Sequence, residues 1–254
     1  MNLLFSLQSE WLKTKRSTAA WLSLTGGFFI PVIYLIGFLK NHSSINLAIK
    51  GEHIWENHFM QLWQNMAGFL LPMGVILASS LITQLEYKNN TWKQLHTTPQ
   101  SLTTIFFAKF AVIILMTFQF FVFFNIGIII SGAIPCLIFD KHLPDQAFPY
   151  LLFIKGNIKF FIACLPIIAI QYLLSLQFKN FLVPIGIGLL GLIGSLIALS
   201  WKYIFLSPYS YGPLILMIAR RAGLIANVYV LAVGYFILLM TLSYFLYINK
   251  KEKG

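Results

Sequence analysis

Acidic side chains are scarce in this chain: seven Asp and Glu stand among 254 residues, against 18 Lys and Arg. Charged residues of both signs make up only 10%, where a soluble domain carries about 25%. With 58% of its residues hydrophobic, such a chain cannot cover its own apolar surface in water, so the bilayer is its expected solvent. A net charge of +11 would suggest nucleic acid in a soluble protein. Here the basic residues sit at the ends of apolar runs, where they meet lipid headgroups and the membrane potential, and no nucleic-acid partner is expected. Cysteine is nearly absent too. Cys136 and Cys164 have no metal-ligand spacing and are expected as two free thiols in or near the membrane. With no repeat, low-complexity tract or linker, residues 1–254 are expected to form one transmembrane domain.

Catalytic machinery is missing as well. None of the five His (His42, His53, His58, His96 and His142) falls in a predicted span, nor does any Asp or Glu, although Glu86 ends one. Proton-coupled carriage generally needs titrating groups within the bilayer, and an intramembrane serine or metalloprotease needs a His there. Neither class is expected. Two motif matches fail on context. GIGLLG at 186–191 satisfies G-x-G-x-x-G but lies inside an apolar run, with no strand before it and no acid about 20 residues later. EHIWENH at 52–58 has no standard zinc spacing and reads as a solvated loop. The glycosylation sequons at Asn41 and Asn89 are formal matches that recur by chance. No G-x-x-x-x-G-K-[ST] phosphate loop occurs, so any uphill work requires another chain to hydrolyse the nucleotide.

What the sequence has in quantity is long apolar runs. A helix rises about 1.5 Å per residue, so about 20 apolar residues cross the ~30 Å hydrocarbon core. Six runs qualify, near 18–39, 62–85, 107–134, 159–178, 181–200 and 227–248. The expected fold class is an all-α integral membrane protein with six transmembrane helices. The third run is long, and its first turn, with Lys109, is expected in the headgroups. No run ends like a cleaved signal peptide, so the first is expected to be a retained anchor.

Three further segments complete the layout. Residues 1–16 place Leu3, Leu4, Leu7 and Trp11 at 3–4-residue spacing, with Glu10, Lys13 and Arg16 largely elsewhere. That spacing predicts an amphipathic helix in the interface plane. Residues 201–226 are apolar but broken by Pro208, Gly212 and Pro213. They read as a re-entrant or interfacial pair of short helices shielded by protein, or else as a seventh span. Six spans put both termini on one side. With the termini inside, ten of the 18 Lys and Arg lie inside, and six of these flank the first and last spans: Lys13, Lys15, Arg16, Lys250, Lys251 and Lys253. Cytoplasmic termini are therefore expected, with Arg220 and Arg221 outside.

Polar side chains in or beside the runs, namely Gln64, Asn65, Gln119, Asn125 and Gln171, are expected to hydrogen-bond between helices, each contributing under about 1 kcal/mol. Pro31, Pro72, Pro166 and Pro184 each remove a helix bond and are expected to kink their spans. Gly188, Gly191, Ser195 and Ala198 recur at i, i+3, i+7 and i+10, a small-residue stripe along which another helix can approach.

Residues 86–101, EYKNNTWKQLHTTPQS, form a long polar connector between the second and third runs. Asn89 or Asn90 can cap a short helix that Pro99 ends near Thr98. Trp92 and Leu95 share one face, and Lys93 points elsewhere. Spacing fits two roles equally: inserting Trp92 into a groove on a soluble partner, or anchoring it in headgroups. The pattern Glu86, Thr91, Trp92-Lys93, Leu95, Pro99 and, ten residues on, Lys109 resembles the intracellular loop of type-2 ABC exporter permeases, above all the lantibiotic (bacteriocin) self-immunity and bacitracin-resistance group. SEWLKTKRS, before the first run, is similar to that family's amphipathic entry helix, and QYLLSLQFKNFLVPIGIG (171–188) to its join between the fourth and fifth spans.

The resemblance implies a multi-pass protein of the bacterial cytoplasmic membrane, paired with an identical or sister permease. Two ATPase subunits would grip a coupling helix marked by Glu86, Thr91, Trp92, Leu95 and Pro99. This chain would hold no cofactor, ATP and Mg being bound by the ATPase. The cargo it implies is an amphipathic antimicrobial peptide, expelled outward. Other members of the family move lipids, glycans, drugs or ions, and no residue here identifies a cargo contact. The rival reading is a non-transporting assembly or sensor subunit whose loop recruits a signalling partner.

Overall fold

The computed structural model describes residues 3–15, 17–40, 54–88, 101–139, 147–218 and 228–249, and no β-strand occurs among them. α1 (Leu3–Thr14) leads through a turn into α2 (Thr18–Lys40). α3 (Ile54–Asn65) continues through a π-helical turn (Met66–Leu70) into α4 (Leu71–Lys88). α5 (Leu102–Phe139), α6 (Tyr150–Gln177) and α7 (Leu182–Ile197) follow. Three short 3-10 turns (Ala198–Ser200, Ile204–Leu206 and Pro208–Ser210) then lead into the eight-residue α8 (Tyr211–Ile218). The last described helix is α9 (Val228–Ile248). Six of these stretches are long and apolar enough to cross a membrane: α2, α3–α4, α5, α6, α7 with its 3-10 extension, and α9. α8 is too short to cross.

Cross-helix contacts set the direction of each span. α2 runs parallel to α5, because Gly27 lies against Phe120, Phe123 and Phe124 while Pro31 lies against Gly127. α3 runs antiparallel to α5: Trp55 meets Gly132, His58 bonds Ser131, and Trp63 packs on Phe124. α6 is also antiparallel to α5, pairing Asn157 with Asn125 and Tyr172 with Phe106. So is α9, which brings Phe236 to Phe110 and Tyr244 to Thr103. α7 turns back along α6, placing Gly188 against Gln171. The spans therefore alternate in direction. The start of α2, the end of α4, the start of α5 and the end of α9 all lie at one end of the bundle.

The core is aromatic. Trp63, fully buried, stacks on Phe160 with ring centroids 3.9 Å apart and stands edge-on to Phe124 at 4.9 Å. α2 approaches α5 backbone to backbone. A Cβ on Gly27 would sit 3.0 Å from Phe120 O, and one on Gly127 would sit 2.7 Å from the Pro31 ring. Between membrane helices, where lipid is as apolar as Leu, such close contact is a main source of attachment.

Several boundaries differ from the sequence expectation. The second, third and fourth spans begin at Ile54, Leu102 and Tyr150, five to nine residues before the apolar runs near 62, 107 and 159. Apolar content marks only the stretch that faces hydrocarbon, whereas α3 is amphipathic, with Trp55, His58, Phe59, Leu62 and Trp63 buried and Glu56, Asn57, Gln61 and Gln64 exposed. At 38 residues, α5 is about 57 Å long, well beyond the ~30 Å core. EHIWENH is accordingly not a solvated loop from Ile54 onward: it enters α3 with Trp55 and His58 buried. His58 and Glu56 thus lie on the second candidate span, contrary to the expectation that no His or acid does. Lys109 is the eighth residue of α5 and is only 3% exposed, covered by protein.

The prolines divide. Pro31 and Pro166 sit inside helices, joined by Pro135 in α5. Pro184 falls in the first turn of α7, where the backbone N–H has no intrahelical partner in any case, so it breaks nothing. Pro72 follows the π-helical turn. There the Leu71 N–H reaches back to Met66 O, five residues away, and the wider turn accommodates a residue that has no N–H to donate.

Candidate functional site

The connector that the sequence singles out joins α4 to α5. Glu86 lies in the last turn of α4, while Thr91, Trp92, Leu95 and Pro99 lie outside the described residues. The helices on either side of it are tied closely to their neighbours. The Tyr172 hydroxyl of α6, fully buried, donates to Phe106 O of α5 at 2.7 Å. Thr103 Oγ1 and the Tyr244 hydroxyl of α9 are 3.0 Å apart. The Phe106 ring packs on Tyr172, Tyr244 and Tyr247, with centroids 5.1, 5.4 and 5.6 Å away. α1 packs on the same helix, burying Ser6 and Thr14, with Leu7 and Trp11 turned to the core. The first turns of α5 are thus bolted to α6 and α9, and a displacement entering α5 from the connector would be shared with both.

A second polar region lies between α6, α7 and the 3-10 turns. Gln171, fully buried, donates from Nε2 to the Tyr209 hydroxyl at 3.0 Å. Burial raises the Tyr209 phenol pKa, against a lowering by the Gln171 hydrogen bond, so the group stays neutral. The small-residue stripe of α7 meets this region. Gly188 lies so close to Gln171 Nε2 and Ile76 that a Cβ could not be added without displacement, and a Cβ on Gly191 would sit 2.7 Å from the Tyr209 ring. Ser195 donates to Gly191 O at 2.7 Å and pairs with Ser207 at 2.5 Å, while Ala198 begins the first 3-10 turn. Beneath α8 the π-helical turn matters again. Its Ala67 carbonyl would lie 2.5 Å from a Cβ on Gly212, so a glycine is what lets α8 seat there.

Three polar contacts join the spans farther from the connector. Asn65 donates to the Tyr34 hydroxyl at 2.9 Å. Asn125 and Asn157 form a reciprocal amide pair, at 2.9 and 2.8 Å. Asn157 was not anticipated, because Lys155 and Lys159 beside it hide the helical continuation of the apolar run. The third contact is His58 Nε2 with Ser131 Oγ, 2.9 Å apart and buried. A His–Ser pair invites a catalytic reading, but the hydroxyl of Ser131 donates to Ile128 O at 3.1 Å. With that proton directed at Ile128 O, the Ser131 oxygen faces His58 Nε2 as an acceptor. The pair works as a strut between α3 and α5. Among the described residues, no three His, Cys, Asp or Glu come together as a metal site, and Cys136 and Cys164 are buried thiols that form no disulfide.

Beside the amide pair, α5 and α6 splay to leave a cavity of about 540 Å³ open to the outer face of the bundle. Phe121, Asn125, Asn157 and Phe161 form its floor, and Phe121 touches Phe161 edge to face at 5.8 Å. Val122 and Ile126 from α5 and Ile154 and Ile158 from α6 form its walls.

A family model described as ABC-2 family transporter protein matches residues 6–195, from near the start of α1 almost to the end of α7. No curated protein and no solved structure matches the chain.

Proposed function

Because the chain belongs to the ABC-2 transporter family, we propose that it is the membrane-spanning permease of an ATP-driven exporter that expels an amphipathic antimicrobial peptide from the bacterial cytoplasmic membrane. Family membership carries the permease part of this reading. The cargo rests on the resemblance of the 86–109 pattern to lantibiotic self-immunity permeases. Two permease chains, identical or sister, would enclose the path, and two ATPase subunits would hold ATP and Mg beneath them. The termini and connector 89–100 would face the cytoplasm. The shared end of the α2 start, the α4 end, the α5 start and the α9 end, and the Lys and Arg flanking the first and last spans, support that orientation.

In this reading the segment around Thr91, Trp92, Leu95 and Pro99 is the ATPase grip. Closure of the ATPases pushes it, and the push enters α5 at Thr103 and Phe106. From there Tyr172 and Tyr244 pass it to α6 and α9. The small-residue stripe of α7 and Gly212 are the close contacts along which the spans would slide. The test is expression with its ATPase and any sister permease in a peptide-sensitive cell. The inhibitory concentration of a membrane-active peptide should rise, and the gain should vanish when the ATPase loses its catalytic carboxylate. If a broad peptide panel shows no ATP-dependent protection, the peptide cargo is refuted in favour of lipid or drug export.

A further inference from the structure

From the cavity between α5 and α6 we infer a binding site for one hydrocarbon chain of a membrane amphiphile bearing a hydroxyl or amide N–H donor. Phe118 to Ile129 on α5 spans about 16 Å, roughly half of the ~30 Å hydrocarbon core. Spread over that length, the cavity of about 540 Å³ has a mean cross-section of about 33 Å². It is wide enough for a single extended hydrocarbon chain, and its volume lies within the ~300–1,000 Å³ typical of small-ligand sites.

The floor specifies the polar group. Asn125 Nδ2 donates to Phe121 O at 2.7 Å and to Asn157 Oδ1 at 2.9 Å. Asn157 Nδ2 donates to Phe153 O at 2.7 Å and to Asn125 Oδ1 at 2.8 Å. The two backbone carbonyls fix both amide orientations, since an Oδ1 turned toward them would face oxygen with oxygen. All four N–H bonds are thereby spent, while each Oδ1 accepts only one partner and retains a second lone pair. The cavity therefore offers acceptors alone, and its ligand must bring the donor. Its walls are apolar and open outward, Ile158 being 54% exposed and Ile126 41%, so entry is sideways from the bilayer. The site stands apart from the export reading and needs neither ATPase nor peptide.

The experiment uses the full chain in nanodiscs, without ATPase, and two photoactivatable probes of equal length: a secondary fatty amide and the corresponding ester, each with a diazirine in mid-chain. The amide should label peptides containing residues 118–129 and 154–161, saturably, and about threefold more tightly than the ester. Threefold is the factor that an average hydrogen bond between membrane-embedded side chains supplies. Asn125→Leu with Asn157→Leu, which removes both partners while keeping bulk, should erase the preference. Val122→Trp should fill the cavity and remove labelling by both probes. Ile158→Trp does the same from the other wall, should the first variant fold poorly. Equal labelling by amide and ester would overturn the inference. So would labelling that does not saturate, which marks ordinary boundary lipid, or disulfide crosslinking of Val122→Cys between two copies, which marks a seam between chains.

Discussion

Gly212→Ala puts one methyl group where the fold has no room for it. The added Cβ would lie 2.5 Å from Ala67 O, about 0.9 Å short of an ordinary contact of 3.4 Å. A flexible side chain could swing aside, but this atom belongs to the backbone. Its turn is held in π register by the Leu71 N–H bond to Met66 O and by Pro72, which has no N–H to restore the regular helix. α8 must therefore retreat by most of the shortfall, loosening Tyr209, Ser210 and Tyr211, all buried beside it. Overpacking of this kind costs about 1–3 kcal/mol. The assay is unfolding of the purified chain in mixed detergent and SDS, where the midpoint should fall. Gly194→Ala and Gly234→Ala serve as controls, because an added Cβ at either meets nothing within 4 Å. In a helix interior they should be neutral or stabilise by up to ~1 kcal/mol. A Gly212→Ala protein within about 0.5 kcal/mol of the parent, a margin typical of harmless surface changes, would refute the reasoning. So would controls that lose as much as Gly212→Ala.

Trp63→Ala removes a fully buried ring that packs on Phe121, Phe124 and Phe160. It should cost about 3–5 kcal/mol in the same unfolding assay, and a loss under about 1 kcal/mol would contradict a close-packed aromatic core. Ser131→Ala removes the His58 contact between α3 and α5 and should cost about 0.5–1.5 kcal/mol of stability, while peptide protection persists at matched expression. Loss of protection with unchanged stability would show the pair to be chemical rather than structural. For topology, single Cys residues at Ser44, Thr97 and Trp201, with Cys136 and Cys164 replaced, should react with an impermeant thiol reagent from outside, inside and outside respectively. Outside labelling at Thr97 would remove both the orientation and the ATPase contact.

Span number and alternation were legible because hydrocarbon imposes a simple rule: about 20 apolar residues per crossing. Span starts were not. Glu56, Asn57 and His58 read as loop in the sequence, yet α3 carries Trp55 and Phe59 onto α5 and α6, and that covering protein, not lipid, sustains the helix. The same effect concealed Asn157 between Lys155 and Lys159. The broken character of 201–226 could be read from Pro208, Gly212 and Pro213, and residues 201–218 do form short turns and one short helix. The sequence offered no sign that Ser210 would be fully buried, with its hydroxyl turned onto Ile204 O and Ser207 O. That is why exposed Trp201 is the better labelling position. The partners of Gln171 and Asn125 were equally hidden, because a polar residue in an apolar run announces a hydrogen bond but not the helix that supplies the other half.

The central claim, that this permease is driven by an ATPase gripping residues 89–98, is tested most directly by ATPase binding to nanodisc-held Trp92→Ala. A large aromatic at the centre of an interface commonly costs ~2 kcal/mol or more when cut to Ala, roughly thirtyfold in affinity. The variant should stay inserted and folded while ATPase affinity and transport fall together. Leu95→Ala should act in the same direction, and Lys93→Ala less, since a rim charge mainly affects encounter rate. If Trp92→Ala binds the ATPase like the parent while its depth in the membrane changes, Trp92 is a headgroup anchor and the claim is contradicted.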